Sequence, residues 1–110
     1  MDTEVVLFYS ERFFGTADAI SFRDNKLRIH DLKTGKVGKI ESHIEQLEIY
    51  AALFCLEYNV KPRNLKGCEL RIYQYDDHRC YIPEPEEIEE IMDCIVHLDE
   101  LLEKYENEEV

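Results

Sequence analysis

The chain has 110 residues, 45% of them hydrophobic and 35% charged, which is the composition of one ordinary globular domain. Its formal net charge of -12 argues against a protein whose whole surface attracts polyanions such as DNA. No apolar run approaches the roughly 20 residues that span a bilayer, and the first residues lack a signal-peptide pattern, so we expect a cytoplasmic protein without a membrane partner.

The N-terminal third of the chain predicts three strands. The first, over residues 3–9, is rich in β-branched and aromatic residues. Two further runs, 16–22 and 26–33, alternate apolar and polar residues and are separated by Asp24-Asn25, a pair that favours a tight turn. A period of two on both sides of a tight turn predicts a half-buried antiparallel hairpin.

A loop over residues 34–38 precedes a predicted helix over about 40–58, which Asn59 and Pro62 end. Apolar residues recur along this helix at steps of three and four, as expected for a stripe that faces a sheet. The stripe consists of Ile44, Leu47, Ala51 and Phe54.

Two more strands and a second helix complete the predicted order. A strand over 67–75, a turn and an edge strand over 79–82 come first, and two prolines then introduce a helix over about 86–105. We therefore expect a single α/β (α+β) domain over residues 1–110, whose core, 3–82, holds a mostly antiparallel sheet of about five strands. In the fourth strand, one face would carry Cys68, Leu70 and Ile72 and the other Glu69, Arg71 and Tyr73.

The predicted hairpin brings acidic residues together. If Asp24-Asn25 is its two-residue loop, Asp18 lies opposite Asp31 on the neighbouring strand. Facing carboxylates repel each other unless a cation lies between them, and Mg²⁺ prefers carboxylate oxygens. Lys33, two residues beyond Asp31, would share its face of the strand. Such a site would polarise a phosphate and activate a metal-bound water, which the lysine would orient.

Simpler interpretations of the same residues remain open. Asp18 can be a solvated acid at the edge of a strand, and Asp31 with Lys33 can form a surface ion pair. A bulge of one residue would also shift the pairing and separate the two carboxylates.

Three motifs follow one another in the chain: GxxD at 15–18, DxKTG at 31–35 and QxxxY at 46–50. Together they resemble the signatures of the RecB-like nucleases, a branch of the PD-(D/E)XK superfamily that includes CRISPR-adaptation exonucleases and many small phage proteins. The resemblance covers about residues 4–75. It implies a restriction-endonuclease-like fold, here without the first superfamily helix, and a metal-dependent nuclease that hydrolyses DNA.

The resemblance also assigns roles to single residues. Asp18, Asp31 and the backbone carbonyl of Leu32 would bind Mg²⁺ or Mn²⁺, and Lys33 would position or activate the attacking water.

Gln46 and Tyr50, one helical turn apart, would face the site and the DNA. The alternative is that Tyr50 is a half-buried aromatic residue and Gln46 a polar boundary residue.

The cysteine pattern predicts neither a zinc site nor an iron–sulfur cluster. No two cysteines are separated by the roughly two to four residues of a zinc turn, and the pattern of cluster-bearing relatives is lacking. We expect buried thiols. The cysteines are Cys55, Cys68, Cys80 and Cys94.

The last helix, over 86–105, has an apolar stripe with heptad spacing among many glutamates. The stripe consists of Ile88, Ile91, Ile95, Leu98, Leu102 and Tyr105. The helix would cover the sheet, or else form a homodimer or dock onto a protein partner. The second option goes with another function, in which the chain is a catalytically weak or inactive nuclease-fold interaction module, such as a phage accessory protein or an acidic DNA mimic.

Overall fold

Five strands form one sheet in the order in which they occur along the chain, and every neighbouring pair is antiparallel except β3–β4. The computed structural model describes residues 2–32, 40–74 and 77–108. The elements are β1 (Asp2–Ser10), β2 (Phe13–Arg23), β3 (Lys26–Leu32), α1 (Ile40–Glu57), a short 3-10 helix (Pro62–Asn64), β4 (Gly67–Gln74), β5 (Asp77–Tyr81) and α2 (Pro85–Glu108). The predicted mixed α+β fold, with a mostly antiparallel sheet of five strands, is confirmed.

The β2–β3 turn sets the register of the central hairpin. Asp24 and Asn25 have φ angles of 53° and 63°, the left-handed conformation that both loop residues of a type I′ turn require. The pairing is the predicted one as far as Ala19 opposite His30, and the predicted pair of Asp18 and Asp31 is not part of this ladder. The carbonyl of Asn25 also accepts a hydrogen bond from the amide of Lys66 at 2.8 Å, which holds the start of β4 beside β3.

Helix α1 connects β3 to β4, which is why these two strands run parallel. Asn59, with a φ of 55°, stops the helix in the left-handed conformation. The amide of Val60 then donates to the carbonyl of Cys55 at 2.9 Å, as in a Schellman motif.

One face of the sheet packs against α1, and the helix residues of the predicted stripe are buried there, with Ile44 half-buried. The buried part of α1 is wider than a stripe, however, because α2 packs on its outer side. Both helices thus lie on the same side of the sheet. The residues buried between α1 and its two neighbours are Leu47, Ala51, Ala52, Leu53, Phe54, Cys55, Ile88 and Ile95.

Helix α2 packs mainly on α1, and not on the sheet itself as the first of the two options from the sequence expected. Its middle is tied to the β1–β2 turn: the Asp99 carboxylate accepts hydrogen bonds from the Ser10 hydroxyl at 2.6 Å and from Arg12 Nε at 2.9 Å. Neither helix of the described residues is long and apolar enough to cross a membrane.

Two of the four cysteines are buried, as predicted, and two are not. Burial raises the pKa of Cys55 to about 11 and that of Cys68 to about 12, so both thiols stay protonated at neutral pH. The prediction was wrong for Cys80 and Cys94, which are exposed. Cys80 lies on the edge strand β5, and Cys94 lies on the outer side of α2.

Two carboxyl groups meet where α1, α2 and β5 come together. Glu48 of α1 shares a hydrogen bond with Glu87 of α2, and Glu87 Oε2 also accepts the Tyr81 hydroxyl at 3.0 Å. Burial, followed by the hydrogen bond and the charge of Glu87, raises the pKa of Glu48 to about 7. The helix–helix contact therefore holds a proton that an exposed glutamate would have released.

We expect the contribution of Glu48 to the free energy of unfolding to fall as the pH rises from 4.5, its unperturbed pKa, to about 7. In this window the folded chain binds a proton that the unfolded chain has lost, so a rising pH favours the unfolded state. Glu48→Gln should flatten this dependence in urea denaturation at several pH values. Glu57→Gln, an exposed site on the same helix, is the control. An unchanged slope in Glu48→Gln would contradict the assignment.

Candidate active site at the end of the central hairpin

The ladder between β2 and β3 runs from the turn as far as Ala19 opposite His30. One step further, the carboxylate of Asp18 accepts a hydrogen bond from the backbone amide of Leu32 at 2.8 Å. Asp31 lies between His30 and Leu32, so it is adjacent to this contact. The hairpin therefore brings Asp18, Asp31 and the backbone of Leu32 to the same end of the sheet.

The regular alternation of β2 breaks at Asp18. Ala17 and Ile20 are both buried in the core, although they are three residues apart and strict alternation would place them on opposite faces. On β1, the paired residues skip Glu4, which lies across from Asp18 and has a φ of 51°. Irregularities of this kind often re-aim a side chain next to an active site. Here the break coincides with the residue whose carboxylate reaches the end of β3.

Asp31 lies on the side of β3 that faces α1. It follows Ile29 by two residues, and Ile29 is fully buried against the helix. The Oδ2 atom of Asp31 is shielded from solvent, and the residue pairs with Ile72 of β4. Removing a carboxylate oxygen from water is unfavourable, and a nearby cation offsets that cost.

Lys33, the predicted catalytic lysine, lies outside the described residues, as do the last two residues of the DxKTG motif, Thr34 and Gly35. The position of its ammonium group relative to Asp31 stays a prediction. Leu32, by contrast, is described: its side chain is exposed, and its backbone lies against the Asp18 carboxylate.

Gln46 and Tyr50 lie on the same side of α1, as predicted, because the Gln46 side-chain amide donates to the Tyr50 hydroxyl at 3.1 Å. Gln46 is exposed and Tyr50 half-buried, and this burial also suits the simpler interpretation of both residues.

The ring of Tyr50 rests on Gly15, the first residue of the GxxD motif. A Cβ atom added at Gly15 would lie only 2.5 Å from Cε1 of that ring. This contact between Tyr50 and Gly15 was not predicted from the sequence, although a glycine inside a strand often indicates that another group packs closely against the backbone. All three motifs are now linked by contacts: GxxD to DxKTG through Asp18 and Leu32, and GxxD to QxxxY through Gly15 and Tyr50.

The candidate metal ligands are all oxygen atoms. Among the described residues, no group of three or more His, Cys, Asp or Glu side chains could hold a metal ion. Asp18, Asp31 and the Leu32 carbonyl would supply two carboxylates and one backbone oxygen. This donor set fits Mg²⁺, which usually retains several of its waters and is bound by one or two carboxylates.

A comparison with protein families gives a match to this chain. A family model described as "Protein of unknown function (DUF2800)" matches residues 5–75, more than half of the chain. The matched span runs from within β1 to the end of β4 and contains the three motifs together with α1. Neither a curated protein nor a solved structure matches the chain.

We expect Gly15→Ala to lower the free energy of unfolding by about 1–3 kcal/mol, because the added methyl group overpacks the Tyr50 ring. Gly67→Ala is the matched control, since the nearest atom to its Cβ would be Lys26 Cγ at 3.8 Å. Chemical denaturation measures both.

In a Tyr50→Ala background, the same Gly15→Ala change should cost much less, because the ring it meets is gone. If Gly15→Ala lowered the free energy of unfolding equally in the two backgrounds, Tyr50 would not pack on Gly15.

Proposed function

The chain belongs to the DUF2800 family, and we propose that it is a metal-dependent nuclease that hydrolyses phosphodiester bonds of DNA. The observation that supports the proposal is the set of contacts that link the three motifs, which are separated along the sequence. Asp18 binds the Leu32 amide, and Tyr50, bonded to Gln46, packs on Gly15. The resemblance to RecB-like nucleases assigns a common chemistry to these positions.

Each residue would have a distinct role. Asp18, Asp31 and the Leu32 carbonyl would hold Mg²⁺ or Mn²⁺ with oxygen ligands. The bound cation supplies Lewis-acid polarisation of the phosphate and lowers the pKa of a coordinated water. Lys33 would orient the attacking water and stabilise the negative charge that develops on the phosphate.

Gln46 and Tyr50 would position the substrate. The amide and the hydroxyl lie on one side of α1 and are bonded to each other, so the pair offers hydrogen-bond donors at fixed relative positions. Such donors suit the unbridged oxygens of a phosphodiester.

The proposal predicts that the purified chain cleaves labelled DNA in the presence of Mg²⁺ or Mn²⁺. Asp31→Asn and Lys33→Ala should each lower the rate at least about 100-fold, because each removes an interaction with the reacting phosphate or its water. Matched controls should cleave like the wild type. They are Asp24→Asn, which keeps a residue that tolerates the left-handed turn, and Lys61→Ala, at an exposed site away from the hairpin. Unchanged cleavage in Asp31→Asn and Lys33→Ala would reject the mechanism.

A second candidate function, an interaction module, is supported by the C-terminal half of α2. The heptad residues Ile88 and Ile95 are buried, but Leu98, Leu102 and Tyr105 are 41%, 43% and 61% exposed. Glutamates flank this exposed stripe, which would suit a homodimer or a protein partner. A wild-type chain that fails to cleave DNA with either metal would favour this function over the nuclease.

A further inference from the structure

The face of the sheet opposite α1 is not covered by either helix of the described residues. Phe14 lies on this uncovered face. Successive side chains of β2 point to opposite faces of the sheet, and its neighbour Gly15 faces Tyr50 of α1. Phe8 pairs with Phe14 and shares its face. These two rings are 46% and 62% exposed. We call the side chains that point away from α1 the open face.

The open face is basic where β2, β3 and β4 adjoin. The pairing of the strands and their alternation place four basic side chains and one acidic side chain there. They are Arg23, Lys26, Arg28, Arg71 and Glu69. Glu69 Oε2 lies 2.6 Å from Arg28 Nε and 3.1 Å from Arg71 Nη2, so one carboxylate holds two guanidinium groups side by side and leaves a net positive charge.

The negative charge of the protein is concentrated elsewhere. Helix α2 contains ten acidic residues and one basic residue, Lys104, so it contributes -9 of the net charge of -12. Helix α1 and the sheet separate α2 from the open face. The distance between α2 and that face is on the order of two layer spacings of about 8–10 Å each. That distance exceeds the screening length of about 10 Å at 0.1 M salt. A polyanion on the open face is therefore largely shielded from the acidic helix.

A row of aromatic rings crosses the same face from β3 to β5. The rings of His30 and Tyr73 are 5.7 Å apart with planes at 20°, and those of Tyr73 and His78 are 4.9 Å apart at 15°. His30 Nδ1 lies 3.1 Å from the Tyr73 hydroxyl.

A groove of about 260 Å³ lies beside the arginines, at the start of β3 and β4. Lys26, Arg28 and Lys66 line it together with Glu69, and Gly67 leaves it open because it has no side chain. Because Glu69 is paired with Arg28, the groove offers two further cations, Lys26 and Lys66, to a phosphate group.

We propose that the open face binds single-stranded nucleic acid, with phosphates along the basic side chains and bases against the exposed ring of His78 at the end of the row. Charge complementarity favours a polyanion, and exposed rings beside basic groups are the features by which proteins bind single strands. A duplex keeps its bases stacked inside and would not reach the rings. The inference rests on the proposed nuclease function and deepens it by naming its substrate class. Arg28 lies on the open face and Asp31 on the opposite face of β3, so a bound strand would pass round the end of β3 to reach the candidate active site.

The test is fluorescence anisotropy with a labelled oligothymidylate and with a duplex of the same length, in EDTA so that cleavage plays no part. Wild type should bind the single strand more tightly than the duplex. Arg28→Gln with Arg71→Gln should weaken binding at least about tenfold and reduce its salt dependence. The charge-matched control is Arg63→Gln with Arg79→Gln, which removes two arginines that lie off the open face.

Two further variants test binding to the open face without removing the ion pairs of Glu69 with Arg28 and Arg71. Lys26→Gln with Lys66→Gln changes only exposed side chains and should also weaken binding and its salt dependence. Tyr73→Leu should weaken binding about tenfold while leaving the salt dependence unchanged, because it removes the ring that holds His78 in place and removes no charge. Equal affinity of the open-face variants and the control, or tighter binding of the duplex, would overturn the proposal.

Failure of this inference is distinguishable from failure of the proposed nuclease. Asp31→Asn should bind the oligonucleotide like the wild type, so binding without any cleavage would contradict only the nuclease. Cleavage that is unaffected in the Arg28 and Arg71 variants, with unchanged affinity, would contradict only the open-face site. A wild type that sediments as a dimer, dissociates on those substitutions and binds no oligonucleotide would show that a second copy occupies the face instead.

Discussion

The left-handed conformation of Asp24 and Asn25 fixes which residues of β2 and β3 lie opposite each other, and the rest of the molecule depends on that register. After a slip of one residue, Ile20 and Ile29 could no longer both face the core, because one of the two strands would turn its buried side chains onto the open face. The same register ends the ladder where the Asp18 carboxylate meets the Leu32 amide. Core packing and the candidate site therefore follow from one turn of two residues.

The layered arrangement separates a basic and aromatic surface from an acidic one. The sheet carries arginines and aromatic rings on its open face, α1 fills the middle layer, and α2 carries most of the acidic residues on the outside. Net charge alone would argue against a nucleic-acid substrate. Because the layers keep the charges apart, the total of -12 does not describe the open face of the sheet.

The sequence predicted the strands, the helices and the hairpin register, because turn residues and apolar periodicity act locally. It did not predict the break at Asp18, which depends on the pairing of β1 with β2 and on the left-handed Glu4 across from it. The exposure of Cys80 and Cys94 was missed for a similar reason, since burial depends on which face a neighbouring layer covers. The packing of Tyr50 on Gly15 likewise arises only when α1 packs on the sheet.

The central claim is that Asp18 and Asp31 together hold a divalent cation at the end of the hairpin. Isothermal titration calorimetry with Mn²⁺ tests it directly, because it needs neither substrate nor turnover. We expect the wild type and Asp24→Asn to bind the ion, and Asp18→Asn and Asp31→Asn, which keep the size of each side chain, to lose binding. Equal heats of binding in all four proteins, or no binding in any of them, would contradict the claim.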